Sequence, residues 1–208
     1  MEKNVQINID GVNLEGMLGL PKEAKGIVIF AHGSGSSRFS PRNTFVASVL
    51  QGAGIGTLLF DLLTTTEDRD YERRFDIGLL ARRLTEATHW LSAQAEANGK
   101  SIGYFGASTG AAAALQSASQ VGAAIKAVVS RGGRPDLAMQ YLGNVTAPTL
   151  LIVGELDTQV LQLNRQALAR LTAEKELAIV PGATHLFEEP GTLERAAELA
   201  RDWFLRHL

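Results

Sequence analysis

The chain has 208 residues, of which 45% are hydrophobic and none is cysteine, and its formal net charge is −2. The absence of cysteine excludes disulfides, a thiolate nucleophile and cysteine-based metal sites. The near-neutral charge provides no basic field that would recruit nucleic acid or an anionic membrane. Residues 1–5 lack the apolar run of a signal peptide, and no apolar stretch reaches membrane-spanning length. We therefore expect a cytoplasmic protein that folds as one domain over residues 1–208.

The chain begins with a pattern typical of a sheet edge. Apolar and polar residues alternate over residues 4–9 and 14–20, on either side of Asp10-Gly11. This pattern favours an antiparallel hairpin. Residues 26–31 form a continuous apolar run, which predicts a central parallel strand that is covered on both faces.

Strands and helices then alternate to the end of the chain. Apolar runs predict further strands at residues 55–62, 101–106, 125–130, 148–154 and 176–180. Helices are predicted at residues 42–53, 73–98, 160–172 and 191–206, with another directly after the strand at 101–106, and residues 64–70 read as a polar loop. This alternation indicates an α/β fold with a mainly parallel sheet and right-handed crossovers.

Residues 106–110 read Gly-Ala-Ser-Thr-Gly, which fits the pattern G-x-S-x-G between a predicted strand and a predicted helix. A sharp strand-to-helix turn lifts a serine hydroxyl clear of the sheet, where a base can activate it. The helix N-terminus behind Ser108 adds backbone N–H groups that suit a developing oxyanion. Ser108 is therefore the candidate nucleophile.

A nucleophilic serine needs a histidine base and a carboxylate that orients the histidine. In a parallel sheet, functional groups collect at the C-terminal ends of the strands. Asp157 follows the strand that ends at Gly154, and His185 follows the last strand. The sequence thus predicts a triad of Ser108, Asp157 and His185 in that chain order.

Other residues at strand ends are rivals for these roles. Asp61 and Glu155 are alternative acids, and Asp157 itself is open to a second interpretation as a helix cap. His32 opens a glycine–serine loop, and we interpret its ring as a structural support there. The oxyanion hole of such a site combines the amide after the nucleophile with one from an early strand–helix loop. These amides correspond to Thr109 and Ser34, with Gly35 as the alternative to Ser34.

Four segments together carry a resemblance to a known superfamily: His32-Gly33-Ser34-Gly35, residues 106–110, Gly154-Glu155-Leu156-Asp157 and Gly182-Ala183-Thr184-His185. Their order and spacing resemble the α/β-hydrolase superfamily, and in particular dienelactone-hydrolase-like proteins. The resemblance implies about eight strands with the second antiparallel, helices on both faces, and ester hydrolysis without a cofactor. Dienelactone hydrolases proper carry a cysteine nucleophile, where this chain has serine.

Many relatives in that superfamily carry a lid after the sixth strand. Residues 130–147 leave room for little more than one short helix. We therefore expect a compact fold with no cap domain, and a shallow, open site. The expected substrate is a small ester, thioester or lactone.

Four arginines lie in or beside loops at the predicted active end of the sheet: Arg38, Arg42, Arg131 and Arg134. Arg38 and Arg131 in particular are candidates for binding a carboxylate on the substrate, because a guanidinium matches carboxylate geometry. Solvated surface arginines are the alternative interpretation.

Two other functions fit parts of the sequence. A dinucleotide-binding oxidoreductase would use the Gly33-x-Gly35 loop, but Arg38 stands where its fingerprint needs a third glycine. A non-catalytic ligand-binding or scaffold protein would use the same fold without an activated serine. No metal site is expected, because no two of the four histidines are spaced i, i+4.

Overall fold

The computed structural model describes residues 2–9 and 11–208, so Asp10 of the predicted hairpin turn lies outside the described residues. The strands are β1 Glu2–Ile9, β2 Val12–Gly19, β3 Gly26–Ala31, β4 Gly56–Phe60, β5 Ser101–Ala107, β6 Ile125–Arg131, β7 Thr149–Gly154 and β8 Lys175–Val180. The helices are α1 Pro41–Gly52, α2 Ile77–Ser92, α3 Thr109–Val121, α4 Thr158–Arg170 and α5 Thr192–His207.

All eight strands join one sheet in the order β1-β2-β4-β3-β5-β6-β7-β8. β2 runs antiparallel to both of its neighbours, and the strands from β4 to β8 pair in parallel. The register places Ala31 beside Gly106 and Ala107 beside Arg131. The C-terminal ends of β3, β5 and β6 therefore meet at one edge, which is where the sequence places the site.

Helices cover both faces of this sheet. On β3, Ile27 and Ile29 join the core under α2 and α3, whereas Val28 and Phe30 join the core under α1 and α5. All six residues of β3 are buried. Burial on both faces explains why the strand is a continuous apolar run instead of an alternating one. The expected fold, a mostly parallel sheet of eight strands between helices, is confirmed.

Short turns occupy the polar loop predicted at residues 64–70 and the start of the helix predicted at residues 73–98. Two short 3₁₀ turns occupy Glu67–Arg69 and Arg73–Phe75. Glu67 pairs at 2.9 Å with Arg83 of α2, which is buried, and this ion pair fastens the segment to the core. α2 begins at Ile77, later than predicted, because the Asp76 side chain accepts a hydrogen bond from the Leu79 amide at 2.9 Å and caps the helix there.

The expected absence of a cap is also confirmed. Between β6 and β7 the chain forms two short 3₁₀ turns within Pro135–Asn144, with a kink at Ala138, and this segment packs on α3. The C-terminal edge of the sheet is therefore open above β5 and β6. Among the described residues, no helix combines the length and apolar character needed to cross a membrane.

Candidate active site

Ser108 lies between β5 and α3 in a backbone conformation that is rare for any residue with a side chain, with φ +51° and ψ −122°. Such strain persists only where the surroundings impose it, and it clusters at functional sites. The two motif glycines make the turn possible. A Cβ on Gly110 would lie 2.1 Å from the Ala31 carbonyl oxygen, and one on Gly106 would lie 2.4 Å from the Ala111 Cα.

The backbone of Ser108 is tied to the segment that ends β6. Its amide donates to the Arg131 carbonyl at 3.3 Å, and its carbonyl accepts from the Arg134 amide at 3.0 Å. The strained turn is thus held from both sides by one neighbouring segment. This attachment fixes where the Ser108 side chain emerges.

Asp157 and His185 meet at the ends of β7 and β8. His185 Nδ1 lies 2.6 Å from Asp157 Oδ2, and the Asp157 side chain is largely buried. Asp157 stands at the N-cap position of α4, but its side chain makes no capping hydrogen bond. The carboxylate is therefore directed at the imidazole, and the alternative interpretation of Asp157 as a helix cap is not what the side chain does.

The loop that carries His185 is held by two glutamates. Glu155 accepts a hydrogen bond from the Gly182 amide at 2.9 Å. Glu189 accepts from the Thr184 amide at 3.0 Å and from the Thr184 hydroxyl at 2.6 Å, and these bonds lower the pKa of the Glu189 carboxyl. Glu155, a rival acid in the sequence, is thus occupied with the backbone of this loop.

Ser108 and His185 line the same pocket, which has a volume of about 190 Å³. Within the described residues the Ser108 hydroxyl has no hydrogen-bond partner, His185 included. The other lining residues are Gly33, Ser34, Ser36, Ser40, Arg42, Asn43, Ala107, Arg131, Gly132 and Leu186. The pocket therefore brings together residues from the ends of β3, β5, β6 and β8.

Of the two candidates for the second oxyanion amide, Ser34 lies beside Ser108 in this pocket. Gly35, which has φ +68°, does not line this pocket and borders a small second cavity, which Ser34 also lines. The Ser34 amide donates to the hydroxyl of Thr109 at 2.9 Å. Thr109 thus contributes a side chain that holds the loop after β3, a role that the sequence analysis did not foresee.

The two arginines predicted to bind substrate have different positions. Arg38 is absent from the Ser108 pocket, because its guanidinium pairs with Asp61 and Glu15 and its amide donates to Asp61 Oδ1 at 2.7 Å. Arg38 therefore lies outside the pocket that holds Ser108, and its ion pair also engages the rival acid Asp61. Arg131 does line the pocket, at the end of β6.

The N-terminus of α1 is a part of the pocket that the sequence analysis did not identify. Ser40 caps this helix by accepting a hydrogen bond from the Asn43 amide at 3.4 Å, and both residues line the pocket. The Ser40-Pro41 pair, a cap residue followed by proline at the first helical position, was the signal in the sequence. Helix α1 was predicted, but nothing in the sequence places its first turn opposite Ser108.

His32 is buried and connects β3 to β4. Its Nε2 accepts a hydrogen bond from the Leu62 amide at 3.0 Å, so Nδ1 carries the proton and donates to the Gly33 carbonyl at 3.0 Å. Burial lowers the pKa of the His32 ring, against smaller opposing effects from the Gly33 bond and from Asp61 and Asp68. The neutral ring supports the loop that carries Ser34, which agrees with the interpretation from sequence.

We expect this histidine to make folding stability depend on pH. The unfolded chain binds a proton near the ordinary histidine pKa of about 6.5, whereas folded His32 resists protonation. Its contribution to the free energy of unfolding is therefore complete above that pH and decreases as the pH falls below it. Urea unfolding between pH 5 and 8 measures the slope. His32→Gln should flatten it, while His89→Gln, on the exposed face of α2, should not. An equally steep slope in both variants would contradict this assignment.

Comparison with known proteins shows the family of this chain. The profile of the Dienelactone hydrolase family matches residues 14–207. The crystal structure of a dienelactone hydrolase from Anabaena variabilis is 53% identical, with a TM-score of 0.97 over 100% of this chain and 98% of that one. A serine hydrolase without a lid from Xanthomonas campestris shares the fold at 20% identity, with a TM-score of 0.81 over 99% of this chain and 94% of that one.

A curated relative from Mycobacterium tuberculosis, described as a putative phosphoribosyl transferase, is 56% identical over 207 residues. The match covers 100% of this chain and 47% of the relative, so this chain spans about half the length of that protein. The family model matches residues 14–207, and the eight-stranded sheet is the fold of the solved relatives. The chain belongs to the dienelactone hydrolase family.

Proposed function

We propose that the chain is a serine hydrolase that cleaves small carboxylic esters, thioesters or lactones through an acyl-enzyme on Ser108. The observation that carries the proposal is the 2.6 Å contact between His185 Nδ1 and Asp157 Oδ2, on a histidine that shares a pocket with the strained Ser108 turn. The reaction needs no cofactor. Residues 1–208 act as one domain in this proposal, on a small-molecule substrate in the cytoplasm, with no nucleic-acid or membrane partner.

In the proposed reaction the Ser108 oxygen attacks the substrate carbonyl while His185 Nε2 takes the hydroxyl proton. Asp157 holds the proton on Nδ1 and stabilises the imidazolium that forms. His185 then returns the proton to the leaving alcohol or thiol. Water repeats the sequence on the acyl-enzyme and releases the acid.

The tetrahedral intermediate carries a negative oxygen that needs donors already in position. We assign this role to the amides of Thr109 and Ser34. The resting Ser34 amide is bonded to the Thr109 hydroxyl, which keeps the loop against α3 until substrate arrives. On attack, the Ser34 amide exchanges this hydroxyl for the oxyanion.

The direct test measures wild-type protein against p-nitrophenyl esters of increasing acyl length and against small lactones, together with labelling by a fluorophosphonate probe. We expect labelling and the highest kcat/KM on the short esters, because the pocket is small. A binding or scaffold protein on the same fold would neither hydrolyse the panel nor react with the probe. That result would refute the proposal.

A further inference from the structure

Arg131 is a buried cation whose charge is not balanced within the described residues. It is 6% exposed, and neither its Nε nor its Nη1 has a hydrogen-bond partner. Its Nη2 lies 3.4 Å from Asn43 Oδ1, and the Phe187 ring lies 5.6 Å from its Cζ. A buried cation is normally paired with an acid, because removing its hydration is costly.

Three carboxylates at this end of the sheet are occupied with other partners. Glu188 pairs with Arg42 at 3.2 Å, Asp136 with Arg134 at 2.8 Å, and Asp157 with His185. Burial, with a smaller effect from the Arg42 charge, lowers the pKa of Arg131 to about 10. The guanidinium therefore remains charged at neutral pH, in the wall of the pocket that holds Ser108.

Other donors line the same pocket from separate directions. The Ser36 side chain lies in the loop after β3, and the Ser40 hydroxyl lies at the N-terminus of α1, a helix of 12 residues. The positive end of a helix dipole favours an anion. Arg42, on the same first turn, also lines the pocket but is already paired with Glu188. These donors belong to β6, to a loop and to a helix end.

We propose that this pocket binds a phosphate group on the ester substrate, through Arg131 and the N-terminus of α1, beside Ser108. The inference rests on the proposed hydrolase function, because it names the substrate of that same site. A tetrahedral phosphate accepts hydrogen bonds from several directions and so matches donors on three elements. A planar carboxylate uses one guanidinium edge and leaves the remaining donors without partners. The 190 Å³ volume then restricts the acyl part to a small group.

The first experiment measures binding without turnover. Inorganic phosphate is titrated calorimetrically into the full chain carrying Ser108→Ala, at constant ionic strength, with chloride and acetate as comparison anions. We expect saturable binding of phosphate that is tighter than that of acetate. Adding Arg131→Met should weaken phosphate binding roughly 10- to 100-fold, the usual effect of losing a charged hydrogen-bond donor. Adding Arg134→Met, which removes a neighbouring arginine already paired with Asp136, should leave the affinity unchanged.

The second experiment shows whether Arg131 has a merely structural role. If its charge awaits a ligand, Arg131→Met should raise the Tm of the unliganded protein, because it removes an unpaired buried cation. Arg131→Lys should keep the charge and retain part of the phosphate affinity. In the active protein, inorganic phosphate should inhibit hydrolysis of a neutral p-nitrophenyl ester competitively, and Arg131→Met should relieve the inhibition.

The inference would be overturned by acetate binding as tightly as phosphate, by phosphate binding that survives Arg131→Met, or by a lowered Tm in that variant. Its failure is distinguishable from failure of the hydrolase proposal. The calorimetric titration uses protein without the Ser108 hydroxyl, whereas probe labelling and the neutral ester panel do not depend on an anion. Labelled, active protein that ignores phosphate would refute only the inference.

Discussion

Replacing Ser108 with alanine is expected to abolish labelling by a fluorophosphonate probe and to lower kcat on the best ester by roughly 10³-fold or more. The change removes the proposed nucleophile and no packing group. The strained backbone, held by Arg131 and Arg134, stays in place. Mass spectrometry of the labelled protein and steady-state kinetics measure the two effects. Urea unfolding should show a free energy close to that of the wild type.

Ser119→Ala is a matched control, because that hydroxyl lies further along α3 and donates to the Gln116 carbonyl at 2.7 Å. It should keep both labelling and turnover. Retained labelling in Ser108→Ala would move the nucleophile to another residue. Equal loss in both variants would point to damage to α3 instead of lost chemistry.

The second large effect is expected from Asp157→Asn. An amide beside His185 Nδ1 presents a donor or an oxygen of much weaker basicity, so the imidazole loses the tautomer that leaves Nε2 free to accept the serine proton. By analogy with other triads, kcat should fall by roughly 10⁴-fold. Folding stability should change little, because the Asp157 side chain does not cap α4.

Two variants test whether this acid is the correct one. Glu155→Gln keeps an oxygen for the Gly182 amide, so the loop that carries His185 should remain in place. Asp61→Asn weakens the pairing with Arg38, away from the Ser108 pocket. Both should slow turnover far less than Asp157→Asn does. A larger loss of kcat in Asp61→Asn, at unchanged stability, would show that the acid is misassigned.

Much of the fold follows from apolar periodicity. Runs such as Gly26–Ala31 have no polar face, and a strand buried between two layers of helices is the structure that needs none. The order of the strands in the sheet is less accessible. The alternating pattern predicted the antiparallel pairing of β1 with β2, but nothing in it places β3 between β4 and β5 or pairs β2 with β4.

The candidate site, like the fold, could be predicted only in part from the sequence. Asp157 contacts His185, and His185 shares a pocket with Ser108, because each of the three follows a parallel strand. That rule needs no side-chain coordinates. The position of Arg38 could not be predicted by that rule. Arg38 too lies after a strand, but β2 pairs with β4 and brings Glu15 beside Asp61, where the two acids bind its guanidinium. Nothing in the local sequence reports that pairing between distant strands.

The bond between the Ser34 amide and the Thr109 hydroxyl was unpredictable for a different reason. It depends on the rotamer of a threonine and on the path of a glycine–serine loop. Tertiary packing sets both the rotamer and the loop path, and neither produces a pattern in the sequence. The same holds for the unpaired guanidinium of Arg131, since a missing partner is visible only when all its neighbours are in place.

The attachment of Ser108 to the end of β6 fixes the backbone positions of two residues of the proposed site. These residues are Ser108, which carries the reacting oxygen, and Arg131, which carries the guanidinium. Adjacent strands in fixed register hold their backbones, without a flexible loop between them. In the proposed complex, the span between the ester carbonyl and the phosphate group is therefore set by the sheet itself. Selection for a longer or shorter phosphate ester then acts on these two strands. Such a change would require replacing Arg131 or altering the register of β5 and β6. We therefore expect selectivity for substrate length to change slowly in evolution.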